Sequence, residues 1–114
     1  MNQAPTKITF FGWLTPLIVS GKKTITIRDK SESHYVPGTR VDVHTLETDE
    51  YICKIDIEAV NEITFDDIGE EHAAQEFLPL DELKPLIREI YPNDDVFYVI
   101  SYALVSEENT ENEE

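Results

Sequence analysis

A chain of 114 residues is long enough for one hydrophobic core and too short for two, so any site must be built on a single compact body. The apolar share of 40% is that of an ordinary globular protein, and no apolar run approaches the ~18 residues of a membrane-spanning helix. The formal charge of −15 argues against a protein that grips a nucleic-acid backbone, because such proteins gain affinity by neutralising phosphates with Lys and Arg.

Met1 to Thr6 has no basic region followed by an apolar stretch, so no export signal is read there and a cytoplasmic location is expected. Ile8-Thr9-Phe10-Phe11 is a β-branched and aromatic run that predicts a first strand. From Gly12 to Ser20 the residues Trp13, Leu14, Leu17 and Ile18 form a helical stripe. Pro16 falls in the first turns and Gly21 stands where a left-handed cap would end the helix. From residue 24 the chain alternates, with Ile25 and Ile27 on one face and Thr24, Thr26 and Arg28 on the other, as in a half-buried strand. Asp29 to His34 reads as a polar loop, and Pro37-Gly38 as a turn.

Val41 to Leu46 predicts another strand, joined by a turn over 47–50 to the clearest period-two segment, in which Tyr51, Cys53, Ile55, Ile57 and Ala59 share a face. Val60 to Phe65 carries a weaker, separate strand pattern. The lone Cys53 has no partner for an internal disulfide or a thiolate metal site and reads as a small buried residue. Asp66 or Asp67 can cap a short helix over 70–76. Leu80, Leu83, Ile87 and Ile90 mark a second helix, but Pro85 removes an amide donor at a cost of ~3 kcal/mol, so a kink or a start near Lys84 is expected. Val96 to Leu104 is a long aromatic and β-branched strand expected at the centre of the sheet. The last nine residues, 106–114, hold five glutamates and no base and read as an acidic disordered tail, which leaves a charge of −10 on a single domain over 1–105.

This order lacks the repeated strand-helix-strand unit of parallel nucleotide-binding sheets. It predicts an α+β fold, a small barrel or curved mixed sheet with two or three peripheral helices. No Gly-rich phosphate loop, paired-histidine metal motif or Gly-x-Ser-x-Gly turn is present.

The chemistry concentrates between Gly21 and His34. As strand residues alone, the threonines serve β propensity and the lysines stay in solvent. The string Lys23-Thr24-Ile25-Thr26-Ile27-Arg28-Asp29, followed by Ser31-Glu32-Ser33-His34, resembles the signature of the YqfB-type ASCH proteins, small relatives of the PUA-like RNA-binding barrels. Ile8 to Phe11, His72-Ala73-Ala74-Gln75-Glu76, Ile90-Tyr91-Pro92 and Phe97-Tyr98-Val99-Ile100 fall in the same order, so the likeness spans about residues 7 to 104.

The resemblance implies a PUA-like fold and an amidohydrolase that removes the acetyl group of N4-acetylcytidine without metal or cofactor. In that reaction Thr26 is the nucleophile, Lys23 the general base and Glu76 the general acid. Arg28, Thr24, His34 and Tyr98 are the candidate substrate-binding residues. A threonine hydroxyl needs an adjacent base at neutral pH, and a lysine serves only if its pKa falls. Bringing it from about 10.4 to near 7 weakens its charged form by roughly 4–5 kcal/mol, which burial or a nearby cation such as Arg28 must supply. In an unbroken strand residues 23 and 26 face opposite sides, so Lys23 has to lie in the turn after Gly21 or at a bulge.

Other residues keep two readings. His34, His44 and His72 suit polar loop anchors as well as catalysis. Tyr98 and Tyr102 share a strand face and suit either base stacking or core packing, and Trp13 suits a pocket wall or the core. The expected partner is a small neutral nucleoside, and a nucleic-acid polymer is disfavoured. The alternative is a non-catalytic PUA-like RNA-binding module, which would need a basic groove made from Lys22, Lys23, Arg28, Lys30 and Arg40.

Overall fold

The computed structural model describes residues 5–105; the acidic tail at 106–114 lies outside them. Five strands form one mixed sheet, β1 (Lys7–Phe10), β2 (Ile25–Arg28), β3 (Arg40–Thr45), β4 (Tyr51–Thr64) and β5 (Val96–Leu104), with the spatial order β1-β3-β4-β5-β2. β1 runs parallel to β3, and the other neighbours are antiparallel. The α+β expectation holds, in its open form: β1 and β2 are the two edges and do not pair. Among the described residues no helix is long and apolar enough to cross a membrane.

β5 lies inside the sheet and is buried on both faces, as its unbroken apolar run requires. Ile100 and Tyr102 join a cluster with Ile8, Phe10, Val43, Ile55 and Ile57, on which α1 (Thr15–Val19) lays Ile18. Phe97 and Val99 face the other way. They join Ile25 and Ile27 beneath Ala73 of α2 (Glu70–Glu76) and Leu83 and Ile87 of α3 (Leu80–Ile90). Each such buried side chain contributes roughly 1.5–3 kcal/mol, enough for two small clusters to hold the sheet.

Four local expectations change. The two runs read over 51–59 and 60–65 are one strand, β4, because a bulge between Ile57 and Ala59 slips the register and restarts the alternation. The loop after β2 contains one 3-10 turn, Lys30–Glu32, capped by Asp29. Asp66 and Asp67 sit in a 3-10 turn of their own; α2 is entered through Gly69, whose N–H donates to His72 Nδ1 at 3.0 Å. α3 starts at Leu80, four residues before the proline clash suggested, and contains Pro85. Leu83 and Ile87, buried on either side of it, outweigh the loss of one helical hydrogen bond.

Candidate active site

Lys23 enters the interior from a turn. α1 ends at Val19, Gly21 takes a φ of +78°, and the N–H groups of Lys22 and Lys23 both fold back to the carbonyl of Leu17 at 3.0 Å. A residue with a Cβ is strained at that φ, so the glycine is what lets the chain reverse here. β2 begins only at Ile25. Lys23 is thus off the strand, and its side chain is free of the alternation that would have sent it to the wrong face.

Glu76 arrives from the last turn of α2, 53 residues further along the chain. The Thr24 N–H donates to the Gln75 carbonyl at 2.8 Å, so the backbone beside Lys23 is tied to the backbone beside Glu76. Ala73 and Glu76, three apart, form the buried face of this short helix. It stops at Phe77, which adopts the left-handed conformation at φ 61°.

The result is a buried pair. Lys23 Nζ donates to the Glu76 carboxylate and, at 2.7 Å, to the Ile25 carbonyl, with side-chain exposures of 2% and 7% for the pair. Burial pushes the Lys23 amine below the ordinary lysine value of 10.5. Glu76 opposes that shift, and Arg28 reinforces it more weakly. Desolvation rather than the neighbouring cation is the leading cause.

Thr26 and Arg28, two apart on β2, share the inner face. Arg28 Nε donates to Thr26 Oγ1 at 2.8 Å, and Arg28 also reaches the Thr9 carbonyl of β1 at 2.7 Å, joining the two edge strands across the open side of the sheet. Its guanidinium lies 4.8 Å from the Phe10 ring centroid, and Lys23 Nζ lies 5.6 Å from the same centroid. No hydrogen bond joins Lys23 to Thr26 in this resting arrangement.

Lys23, Thr26, Arg28 and Glu76 all line one cavity of about 160 Å³, together with Glu32 and an apolar wall that includes Leu14, Leu78 and Ile87. That is below the ~300–1,000 Å³ of pockets for drug-sized ligands and suits one small planar group. A few polar groups converging in an apolar recess is what orients a ligand while keeping water out. Among the described residues no three His, Cys, Asp or Glu side chains gather as a metal ion would need.

The other candidate residues lie elsewhere. Thr24 is exposed at the head of β2, and His34 is exposed beyond the 3-10 turn. Tyr98 pairs with Arg28 in the sheet register but lines a separate shallow groove with Lys30 and Asn93. Tyr102 packs edge-on against Phe10 in the core, Cys53 is buried and in no disulfide, and Trp13 is half exposed beside Leu78 and Leu86, which also wall the cavity. In the sequence Glu32 is only one polar residue of the run Ser31-Glu32-Ser33-His34. Its place at the cavity depends on the turn at 30–32, which the polar composition of that stretch does not disclose.

The ASCH domain model matches residues 8–77. A protein of Vibrio cholerae serotype O1 named N(4)-acetylcytidine amidohydrolase is 66% identical over 100 residues, covering 88% of this chain and 88% of its own. A Vibrio campbellii protein of the same name is 63% identical, covering 92% of this chain and 99% of its own. Among solved structures, an ASCH domain from Lactobacillus crispatus superposes with a TM-score of 0.72 at 15% identity, over 87% of this chain and 79% of that one, a likeness of fold.

Proposed function

The chain belongs to the ASCH domain family, and from that premise we propose that it is an amidohydrolase converting N4-acetylcytidine to cytidine and acetate. The observation that carries the reading is the meeting of a buried lysine, a threonine hydroxyl and a buried carboxylate at one small apolar cavity. The high identity to relatives bearing that name supports the choice of substrate.

The roles are those that the family resemblance implies, and the geometry supports them. Thr26 Oγ1 accepts a bond from Arg28, so the hydroxyl's own proton is left to be given away. Lys23, held on the same cavity with its charged form disfavoured, accepts that proton as Oγ1 attacks the acetyl carbonyl. Arg28 beside Oγ1 stabilises the negative charge that develops there. The C–N bond then breaks, Glu76 gives a proton to the departing N4 amine, and acetyl-threonine remains. Water, activated by the same pair, attacks the ester, releases acetate and restores Thr26. The ion-paired and neutral forms of Lys23 and Glu76 differ only in which of the two holds one proton. The reactive form is thus reached by moving a proton along an existing hydrogen bond, a step that burial favours.

Three of the five basic residues that an RNA-binding reading needs are not free on the surface: Lys23 and Arg28 are buried, and Arg40 is paired with Asp56 on the outer face of the sheet. The planar acetylated base of a small neutral nucleoside suits the cavity, its neutrality suits the negative charge of the chain, and a cytoplasmic setting is part of the same proposal. The test is incubation of purified protein with N4-acetylcytidine, following cytidine and acetate by chromatography. The wild type should release both in equal amounts, while folded Thr26→Ala and Lys23→Ala variants should not. A folded wild type that leaves the substrate intact overturns the proposal.

A further inference from the structure

Arg28 is held from several directions at once. Nη2 donates to the Thr9 carbonyl, Nη1 to the Glu32 carboxylate and Nε to Thr26 Oγ1, while the guanidinium lies over Phe10. Thr9, Phe10 and Thr26 belong to β1 or β2 and are fixed by the sheet. Glu32 alone comes from outside it, from the 3-10 turn at 30–32, where Asp29 Oδ1 accepts from the Ser31 N–H and hydroxyl. It faces Arg28 four residues along and lines the cavity, yet its side chain is still 37% exposed.

A guanidinium is planar, so fixing both terminal nitrogens fixes the direction of Nε–H as well. With only the Thr9 carbonyl holding it, the group could pivot about that contact, and Nε would leave Thr26. The hydroxyl would then be free to rotate, and its proton would no longer be directed away from an occupied acceptor position. The geometry points to Glu32 as a positioning residue for the nucleophile: through Arg28 it orients the Thr26 hydroxyl for attack. This inference rests on the acyl-transfer reading above. It adds a residue that acts without touching the substrate or the reacting atoms.

Three proteins test it, the wild type, Glu32→Ala and Glu32→Gln, assayed with N4-acetylcytidine and observed by NMR at the Arg28 Nε–H. Glu32→Ala should lower kcat by about 10- to 100-fold with KM nearly unchanged, as expected when a reacting group is displaced by an ångström or so. Glu32→Gln should regain most of that loss, because its amide oxygen still accepts from Nη1. The Nε–H signal, sharp and slow to exchange in the wild type and in Glu32→Gln, should broaden in Glu32→Ala. The turn is exposed, so all three should share a thermal midpoint within a few degrees. A wild-type kcat in Glu32→Ala, or an Nε–H signal unchanged by that substitution, overturns the inference while leaving the amidohydrolase reading standing. An inert wild type counts against that reading instead, and the NMR comparison still decides whether Glu32 holds Arg28.

Discussion

On the outer face of the β3–β4 hairpin, Arg40 stands directly across from Asp56, and Asp42 across from Lys54. At the head of β2, Lys23 meets Glu76. The partners are chemically alike, cation and carboxylate in contact, but water reaches the first two pairs and hardly touches the third. Outside, solvent screening leaves a cross-strand pair worth little, and its use is to favour one register and keep the surface polar. Inside, loss of water makes the charged state costly for both partners, so the pair becomes reactive rather than merely adhesive. The difference teaches that solvent, more than residue type, decides which lysine can act as a base.

The comparison can be broken most directly at its inner side. Thr26→Ala should reduce kcat by about 10³-fold or more while leaving a folded protein, since the hydroxyl is the proposed attacking group and its removal opens little space. Wild-type turnover by that variant would separate the buried cluster from the chemistry. Lys23→Met should abolish turnover and also destabilise the fold by about 3–5 kcal/mol, because Glu76 is left buried beside an apolar chain. The double variant Lys23→Met/Glu76→Leu should recover that stability in urea melts and remain inactive. A single variant as stable as the wild type would mean that the pair is not desolvated as described.

Titration sharpens the contrast. The reactive pair holds one proton between Lys23 and Glu76, so kcat/KM should fall at alkaline pH as Lys23 loses its proton to solvent and no acid is left for the leaving amine, with a midpoint below the ordinary 10.5. Glu76 raises the lysine's value and Arg28 lowers it. Glu76→Gln should therefore move the Lys23 titration to lower pH and Arg28→Met to higher pH, read from the lysine Cε chemical shift. Shifts in the reverse directions would contradict the placement of these charges.

The smallest effects belong to the outer pairs. The hydrogen bond from Arg40 holds the Asp56 carboxyl below its ordinary value, so the stability it adds is present above that value and is lost as pH falls through the lowered one. Asp56→Asn should leave kcat and the neutral-pH thermal midpoint unchanged and soften only the acid limb of a stability profile, less so in high salt. A large loss of activity in Asp56→Asn would erase the distinction between the two regions.

How much of this could be read from residues alone depends on distance along the chain. Lys23, Thr26 and Arg28 fall within six positions, and the period of a strand is enough to pair Thr26 with Arg28 and to require Lys23 to stand outside it. The turn at Gly21 was legible for the same reason. Glu76 was not, since nothing local in α2 distinguishes it from Glu70 or Glu71; only the likeness to a known family singled it out. The joining of two strand patterns into β4 escaped because a bulge resets the alternation that defines a strand, and the start of α3 because packing at Leu83 and Ile87 overrides a proline penalty. Thr24, His34 and Tyr98 shared the polar character of the motif, but Thr24 and His34 are exposed and Tyr98, although it is the cross-strand partner of Arg28, lines a separate groove.

The contact from Arg28 to the Thr9 carbonyl has a further consequence, for how molecules of this protein behave in a crowd. A sheet that does not close offers bare strand margins on which a stray polypeptide could extend the ladder and begin an aggregate. Here both margins are only four residues long and are strapped to each other by one guanidinium. Losing Arg28 should therefore make the protein not only a poorer catalyst but a stickier one, prone to association at concentrations the parent tolerates.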